Sequence, residues 1–244
     1  MTARRTLLRG LGLAALLRAA SARAEDFAGA RRRMLRQIEQ RMRDTAASTG
    51  RAALSPAVRR ALGRVERHRF VPAEFAAQAY GDHPLPIGHG QTISQPFIVA
   101  LMTELLQPQP TDVVLEVGTG SGYQAAVLAE CVQRVHTIEI VAPLAERARA
   151  LLSALGYRND EVRTGDGYQG WPQAAPFDAI VVTAAPDHVP QPLIDQLKPG
   201  GRLVVPVGPQ SAGQDLLLIT KGADGRTVSQ RTLPVRFVPL TRAR

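Results

Sequence analysis

The chain has 244 residues, 45% of them hydrophobic, and a net charge of +9, which suits one well-buried domain with an extension. Its single cysteine, Cys131, excludes a disulfide framework and a cysteine-based zinc site within one chain. Residues 1–70 hold 17 arginines against 5 acidic residues, whereas residues 71–244 hold 13 basic against 16 acidic ones, so the basic surplus lies in the N-terminal region and argues against a nucleic-acid substrate.

Residues 1–24 carry Arg4-Arg5, a short apolar run from Leu11 to Leu17, and Ala22-Arg23-Ala24. This layout fits a secretory or twin-arginine export signal cleaved before Glu25, interrupted by Arg18 and Arg23. It equally fits an Ala/Arg-rich extension, and the run is too short to span a bilayer. From Asp26 to about Thr45, Phe27, Met34, Leu35, Ile38 and Met42 recur at helical spacing, and Arg31–Arg33 read as a solvated face. Ser55-Pro56 opens a second helix through about Glu66, with Val58, Leu62 and Val65 on one face. Residues 68–80 read as a short turn and a further helical stretch. "HPLPIGHGQTISQP", residues 83–96, is too rich in proline and glycine for regular helix or strand and reads as a loop. Pro96 then starts "PFIVALMTELL".

From Asp112 strands and helices alternate: "DVVLEVG", "SGYQAAVLAECV", "VHTIEI", "PLAERARALLSALG", "EVRTG", "FDAIVVT", and "PQPLIDQLKPGG" as a helix and its stop. "RLVVPVG", "DLLLIT" and "TVSQRTLPV" close the chain as strands. The expected fold is α/β: a Rossmann-like, mostly parallel sheet with helices on both faces, an antiparallel C-terminal hairpin and an N-terminal helical cap. The expected divisions are residues 1–24 as signal or extension, 25–110 as cap and substrate loop, and 111–244 as cofactor-binding core.

"VLEVGTGSGYQ", residues 114–124, runs a buried strand into Gly118-x-Gly120-x-Gly122 and then a helix. Glycines there let backbone approach a ligand closely. Glu139 ends the next strand, where a carboxylate binds ribose hydroxyls. The spacing is not the dinucleotide G-x-G-x-x-G, and Glu116 beside the loop disfavours phosphate and favours a cationic ligand. S-adenosylmethionine fits, carrying an ammonium, a sulfonium and no phosphate. Asp166, in "GDG", is placed to accept from the adenine amine.

With these motifs, "GDGYQGW" (165–171), "APFDAIVVTAAP" (175–186), "LKPGGRLVVPVG" (197–208), "VRFVPL" (235–240), "PLPIGHGQTISQP" and "RHRFVP", the chain resembles the protein-L-isoaspartate O-methyltransferases over about residues 55–240. The resemblance implies methyl transfer from S-adenosylmethionine to the α-carboxylate of L-isoaspartyl residues in damaged proteins and peptides, whose ester collapses to a succinimide. It implies Glu116, Gly118, Thr119, Gly120, Gly122, Tyr123, Glu139, Asp166 and Gly167 as cofactor contacts, with no metal. It implies Ser94 as the active-site hydroxyl. Asp82, Ile87, Thr92, Ile93, Gln95, Val235, Phe237 and Val238 become substrate contacts, "VRFVPL" offering an extended edge to a peptide. The alternative is a methyltransferase for a small molecule or RNA. A cytoplasmic monomer without nucleic-acid or stable membrane association is expected, or a periplasmic one if residues 1–24 direct export.

Several residues have a plainer reading. Ser94 alone reads as the N-cap of the helix near Pro96. His83 and His89 read as loop residues, Cys131 as a buried small hydrophobe, and Tyr168 and Trp171 as core aromatics.

Overall fold

The computed structural model describes residues 27–242, so the export and extension readings of residues 1–24 lie outside the described residues. Helix α1 covers 27–44 and turns Met34, Ile38 and Met42 inward, all fully buried. After the short α2 (Ala46–Thr49), α3 (Pro56–Arg64) starts with the Val58 N–H donating to Ser55 Oγ and Pro56 in the first helical position. Residues Arg67–Phe70 and Ala73–Gln78 form two 3-10 turns in place of the expected helical stretch. Pro72 is the cause: it holds Val71 extended (φ −122°, ψ 156°) and interrupts helix propagation.

The segment read as a loop is a β-hairpin. Strands β1 (Leu85–Gly88) and β2 (Gln91–Ile93) pair antiparallel, with Leu85 opposite Ile93 and Pro86 opposite Thr92. Leu85, Ile87 and Ile93 are buried, so a period of two is present beneath the prolines and glycines. The reversal needs left-handed backbone at Gly88, His89 and Gly90, with φ of 90°, 54° and 70°. Composition registered the turn residues and hid the strands flanking them.

Helix α4 (Pro96–Leu106) buries every residue except Ile98 and runs through the core. Asp82 anchors its start: Oδ1 accepts from the Phe97 N–H at 3.0 Å, Oδ2 accepts from Gln95 Nε2 at 2.9 Å, and Arg41 Nε lies 2.7 Å from Oδ2.

The sheet comprises β3 (Val113–Val117), β4 (Arg134–Glu139), β5 (Asp160–Thr164), β6 (Phe177–Val182), β7 (Leu197–Val207), β8 (Gln214–Lys221) and β9 (Thr227–Val235). Its order is β5-β4-β3-β6-β7-β8-β9, parallel from β5 to β7 and antiparallel beyond. Helices α5 (Tyr123–Ala129), α6 (Ala142–Ala154) and α7 (Gln191–Asp195) complete the fold. "LKPGG" is not a helix stop: β7 already starts at Leu197, and its register against β6 shifts between Phe177 and Ala179. Gly201 lies so near the β6 backbone that a Cβ would fall 2.8 Å from the Asp178 carbonyl.

One face of the sheet carries a core in which Met34, Leu62 and Leu101 join Val114 and Ala179, so helical cap and sheet share their interior. The other face packs Trp171, Phe177, Leu193 and Leu197. The chain winds outward from β3 through β4 to β5, then returns to β6 on β3's other side. The carboxyl ends of β3 and β6 therefore flank the switch point where open α/β sheets bind ligands. Asp82→Ala removes two charge-assisted bonds at the entry to α4 and should lower the unfolding free energy by about 1–3 kcal/mol in denaturant titration. Unchanged stability with lost activity would instead make Asp82 a substrate contact.

Candidate active site: two cavities at the sheet switch point

The turn leaving β3 is shaped by its glycines. Gly118 has φ 102°, and a Cβ there would fall 2.4 Å from Thr183 Oγ1. Gly120 has φ 53° and faces Ile87 Cδ1 of the hairpin, which a Cβ would approach to 3.3 Å. Backbone thus passes between β6 and the hairpin where no side chain fits. Glu139 clamps the turn from β4: Oε2 accepts from the Gly120 N–H at 2.8 Å and Oε1 from the Val141 N–H at 2.9 Å.

Glu116 lies beneath, with 0% exposure. Thr137 Oγ1 donates to its Oε2 at 2.6 Å and lies 2.6 Å from Thr119 Oγ1, while Oε1 has no partner. Burial pushes this carboxyl up to about 8, with the neighbouring Glu139 adding to the rise and the Thr137 bond opposing it. At neutral pH the carboxyl therefore holds its proton unless a cation faces it, which qualifies the simple charge argument made from sequence.

Tyr123, at the start of α5, is buried, with the Arg67 guanidinium 4.9 Å from its ring centroid and Phe70 5.5 Å away edge-on. Arg67 is itself fully buried; its Nε donates to the Ala79 carbonyl at 2.7 Å, and burial lowers its pKa to about 10, so it stays charged at neutral pH. This gives "RHRF" a physical use: the segment supports Tyr123, the first aromatic after the glycine turn.

Two cavities open here. The first, a cleft, is lined by the β3 turn, Glu116, Tyr123, Glu139, Gly167 and the 238–241 segment. The second, a groove of about 670 Å³, runs between the hairpin exit and residues 234–239. Thr92, Ser94, Thr183 and Val238 line both. Gln95, Val235 and Phe237 line the groove only, and Ile93 the cleft only.

Ser94 is not the helix cap. Gln95 occupies the N-cap position, and the Phe97 N–H that a capping side chain would take is bound by Asp82. Asp82 and Ile87 line neither cavity. Asp166 is also outside both: its Oδ1 accepts from the Tyr168 N–H at 2.9 Å, capping a short 3-10 turn, while the adjacent Gly167 reaches the cleft. Cys131 is buried, and burial pushes its thiol up to about 12, in keeping with an apolar role. Trp171 packs in the core, edge-on to His136.

"VRFVPL" folds back as an extended segment. The Ala185 N–H donates to the Val238 carbonyl and the Leu240 N–H to the Ala185 carbonyl, each at 2.8 Å. Sequence reading missed Thr183, whose hydroxyl donates to the Gly118 carbonyl at 2.6 Å and whose N–H donates to the Val117 carbonyl at 2.8 Å. Its position at the end of β6, opposite the glycine turn, is the signal that locates it once strand order is known.

A glycine-lined cleft with two acids, no basic side chain in its walls and an orphaned buried carboxyl oxygen suits a cationic nucleoside better than a phosphorylated one. With the sheet topology, this fits the class of nucleoside-dependent methyltransferases. Residues 41–244 match the model of the family described as protein-L-isoaspartate(D-aspartate) O-methyltransferase, and the chain belongs to that family. It is 56% identical over 223 residues to protein-L-isoaspartate O-methyltransferase 2 of Syntrophobacter fumaroxidans, covering 91% of this chain and 90% of that one. It is 61% identical over 192 residues to the Gloeobacter violaceus protein-L-isoaspartate O-methyltransferase, covering 79% and 93%. A solved protein-L-isoaspartate O-methyltransferase superposes with TM-score 0.73 at 30% identity, over 86% of this chain and 65% of that chain. A putative Plasmodium falciparum homologue solved with S-adenosyl-L-homocysteine gives TM-score 0.67 at 26% identity, over 78% and 92%. The chain is an S-adenosylmethionine-dependent methyltransferase of L-isoaspartyl residues.

Between pH 4.5 and about 8 the folded chain holds a proton at Glu116 that the unfolded chain has released, so stability of the ligand-free protein falls as pH rises through this window. Glu116→Gln should flatten that slope by about 1 kcal/mol per pH unit. Denaturant titrations across the window test this, and an unchanged slope would assign it to other groups.

Proposed function

We propose that the donor cleft holds S-adenosylmethionine, that the acceptor groove holds the isoaspartyl segment of a protein or peptide, and that transfer occurs where Ser94 and Thr183 face both. The observation that carries this is the shared wall: the same side chains line the cofactor cleft and the groove. When bound, the cofactor supplies an electrophilic methyl on its sulfonium.

The residues divide by cavity. Gly118, Thr119 and Gly120 give close backbone approach, and Tyr123 forms a buried wall; Gly122 lies outside the cleft and turns the chain into α5 against Ala148 and Leu152 of α6. Glu139 presents its remaining lone pairs to the ribose hydroxyls while keeping its two backbone bonds. Glu116 faces the cationic end of the ligand through its unpartnered Oε1. Gly167 reaches the cleft directly, and Asp166 sets the turn that presents it. Ser94 donates its hydroxyl to the acceptor carboxylate, with Thr92, Ile93 and Gln95 beside it. Val235, Phe237 and Val238 offer edge and wall to the polypeptide. Ile87 and Asp82 act behind the site, one on Gly120 and the other on α4.

This arrangement suits the chemistry. A carboxylate with an ordinary pKa near ~4 is ionised at neutral pH, so no general base is required. The chain's contribution is alignment and exclusion of water, and proximity supplies roughly 7–11 kcal/mol. The division into a cap with substrate hairpin (25–110) and a donor core (111–244) matches this sharing of tasks.

No helix among the described residues is long and apolar enough to cross a membrane. We assign the enzyme to the cytoplasm, where its methyl donor is made, as a monomer. N-terminal sequencing of the mature protein tests that assignment, since cleavage before Glu25 would move the enzyme outside.

Methyl transfer should occur to an isoaspartyl peptide and not to its aspartyl isomer, measured with labelled cofactor; equal rates on both would remove the assignment of the groove. Ser94→Ala should lower turnover at least tenfold while changing cofactor affinity less than twofold, about the loss of one charge-assisted bond. Matched losses in both would give Ser94 a folding role.

A further inference from the structure

We propose that Arg236 makes the acceptor groove selective for acidic residues flanking the isoaspartyl residue, an inference that rests on the groove being the isoaspartyl-peptide site. Arg236 is the one charged side chain among the residues lining that groove. It is exposed, and its guanidinium makes no ion pair or hydrogen bond to the described residues.

Its backbone, by contrast, is fixed. β9 ends at Val235, immediately before it, and Phe237 follows it buried. The Phe237 N–H donates to Gln214 Oε1 at 2.6 Å, and its carbonyl accepts from Gln210 Nε2 at 2.6 Å and from Gln214 Nε2 at 3.2 Å. A free cation thus rises from a rigid edge beside the line a peptide follows.

The acids around the groove do not cancel it. Asp82, behind Gln95, is bound by Arg41 at 2.7 Å. Asp215, across the ladder from Pro234, is paired with Arg231 at 3.1 Å. The other polar linings, Thr92, Ser94, Gln95, Thr183 and Gln210, are uncharged. A peptide therefore meets an unneutralised guanidinium whose planar donors match a carboxylate. Neighbouring aspartate or glutamate gains an ion pair, and neighbouring lysine meets like charge.

The test is steady-state methylation of isoaspartyl peptides that differ only in flanking residues: Glu, Gln or Lys on either side. An exposed ion pair predicts kcat/KM about two- to fivefold higher for Glu than for Gln flanks, with Lys lower still. The ratio should approach one in Arg236→Gln, invert in Arg236→Glu, survive in part in Arg236→Lys, and shrink at 0.5 M salt. A preference that is absent, or that persists in Arg236→Gln, overturns the proposal. So does an equal loss on all three peptides, which would put Arg236 on the isoaspartyl carboxylate or in folding. If the unaltered enzyme methylates none of them, the groove assignment fails and the proposal with it. That outcome is distinguished by the absence of transfer to the Gln-flanked peptide.

Discussion

The bond from the Thr183 hydroxyl to the Gly118 carbonyl, 2.6 Å long, holds the site together at its narrowest point. It joins the ends of β3 and β6 where the sheet's winding reverses, and the Thr183 N–H adds a second tie to Val117. A parallel sheet delivers its strand ends to one edge, but it does not fix the turns that follow them. Here a side chain from one strand end occupies the space that a Cβ at Gly118 would take. The glycine and the threonine are therefore two halves of one steric arrangement, and the cleft opens above it.

Other supports are arranged around that pair at increasing distance. Glu139 holds the turn through two backbone donors, and the hairpin presses Ile87 against Gly120 from the opposite side. Arg67 and Phe70 brace Tyr123 from the helical cap. The cap thus supports the wall of the cleft even though it contributes no glycine motif. It also explains the uncompensated burial of Arg67: its Nη atoms lack partners, and the charge is tolerated beside an aromatic face and a backbone carbonyl.

Local patterns were the legible part of the sequence. Strand–helix alternation, the glycine turn, the Ser55-Pro56 helix start and the final hairpin can all be read from spacing and turn chemistry, because each is decided within a few residues. The resemblance implied substrate roles for Ser94 and "VRFVPL", and Ser94 and residues 235–239 line one groove. What spacing misjudged was decided by distant partners. The hairpin at Leu85–Ile93 exists because three alternating apolar residues meet a core built elsewhere in the chain. The resemblance implied Asp82 as a substrate contact, and Arg41, Gln95 and the Phe97 amide engage its carboxylate. Thr183 was invisible for the same reason: its role depends on strand order, which periodicity does not encode. The early start of β7 at Leu197 turns on Gly201 meeting the Asp178 carbonyl, a close approach from a neighbouring strand.

The extended segment at 235–240 has one further consequence. Its hydrogen bonds to Ala185 stitch it to the chain just past β6, and Val238 looks into both cavities. The two cavities therefore share a partition. A change in the position of this segment alters the walls of both cavities at once. A substitution that loosens the partition disturbs both walls together, whereas one confined to either cavity floor leaves the other wall alone.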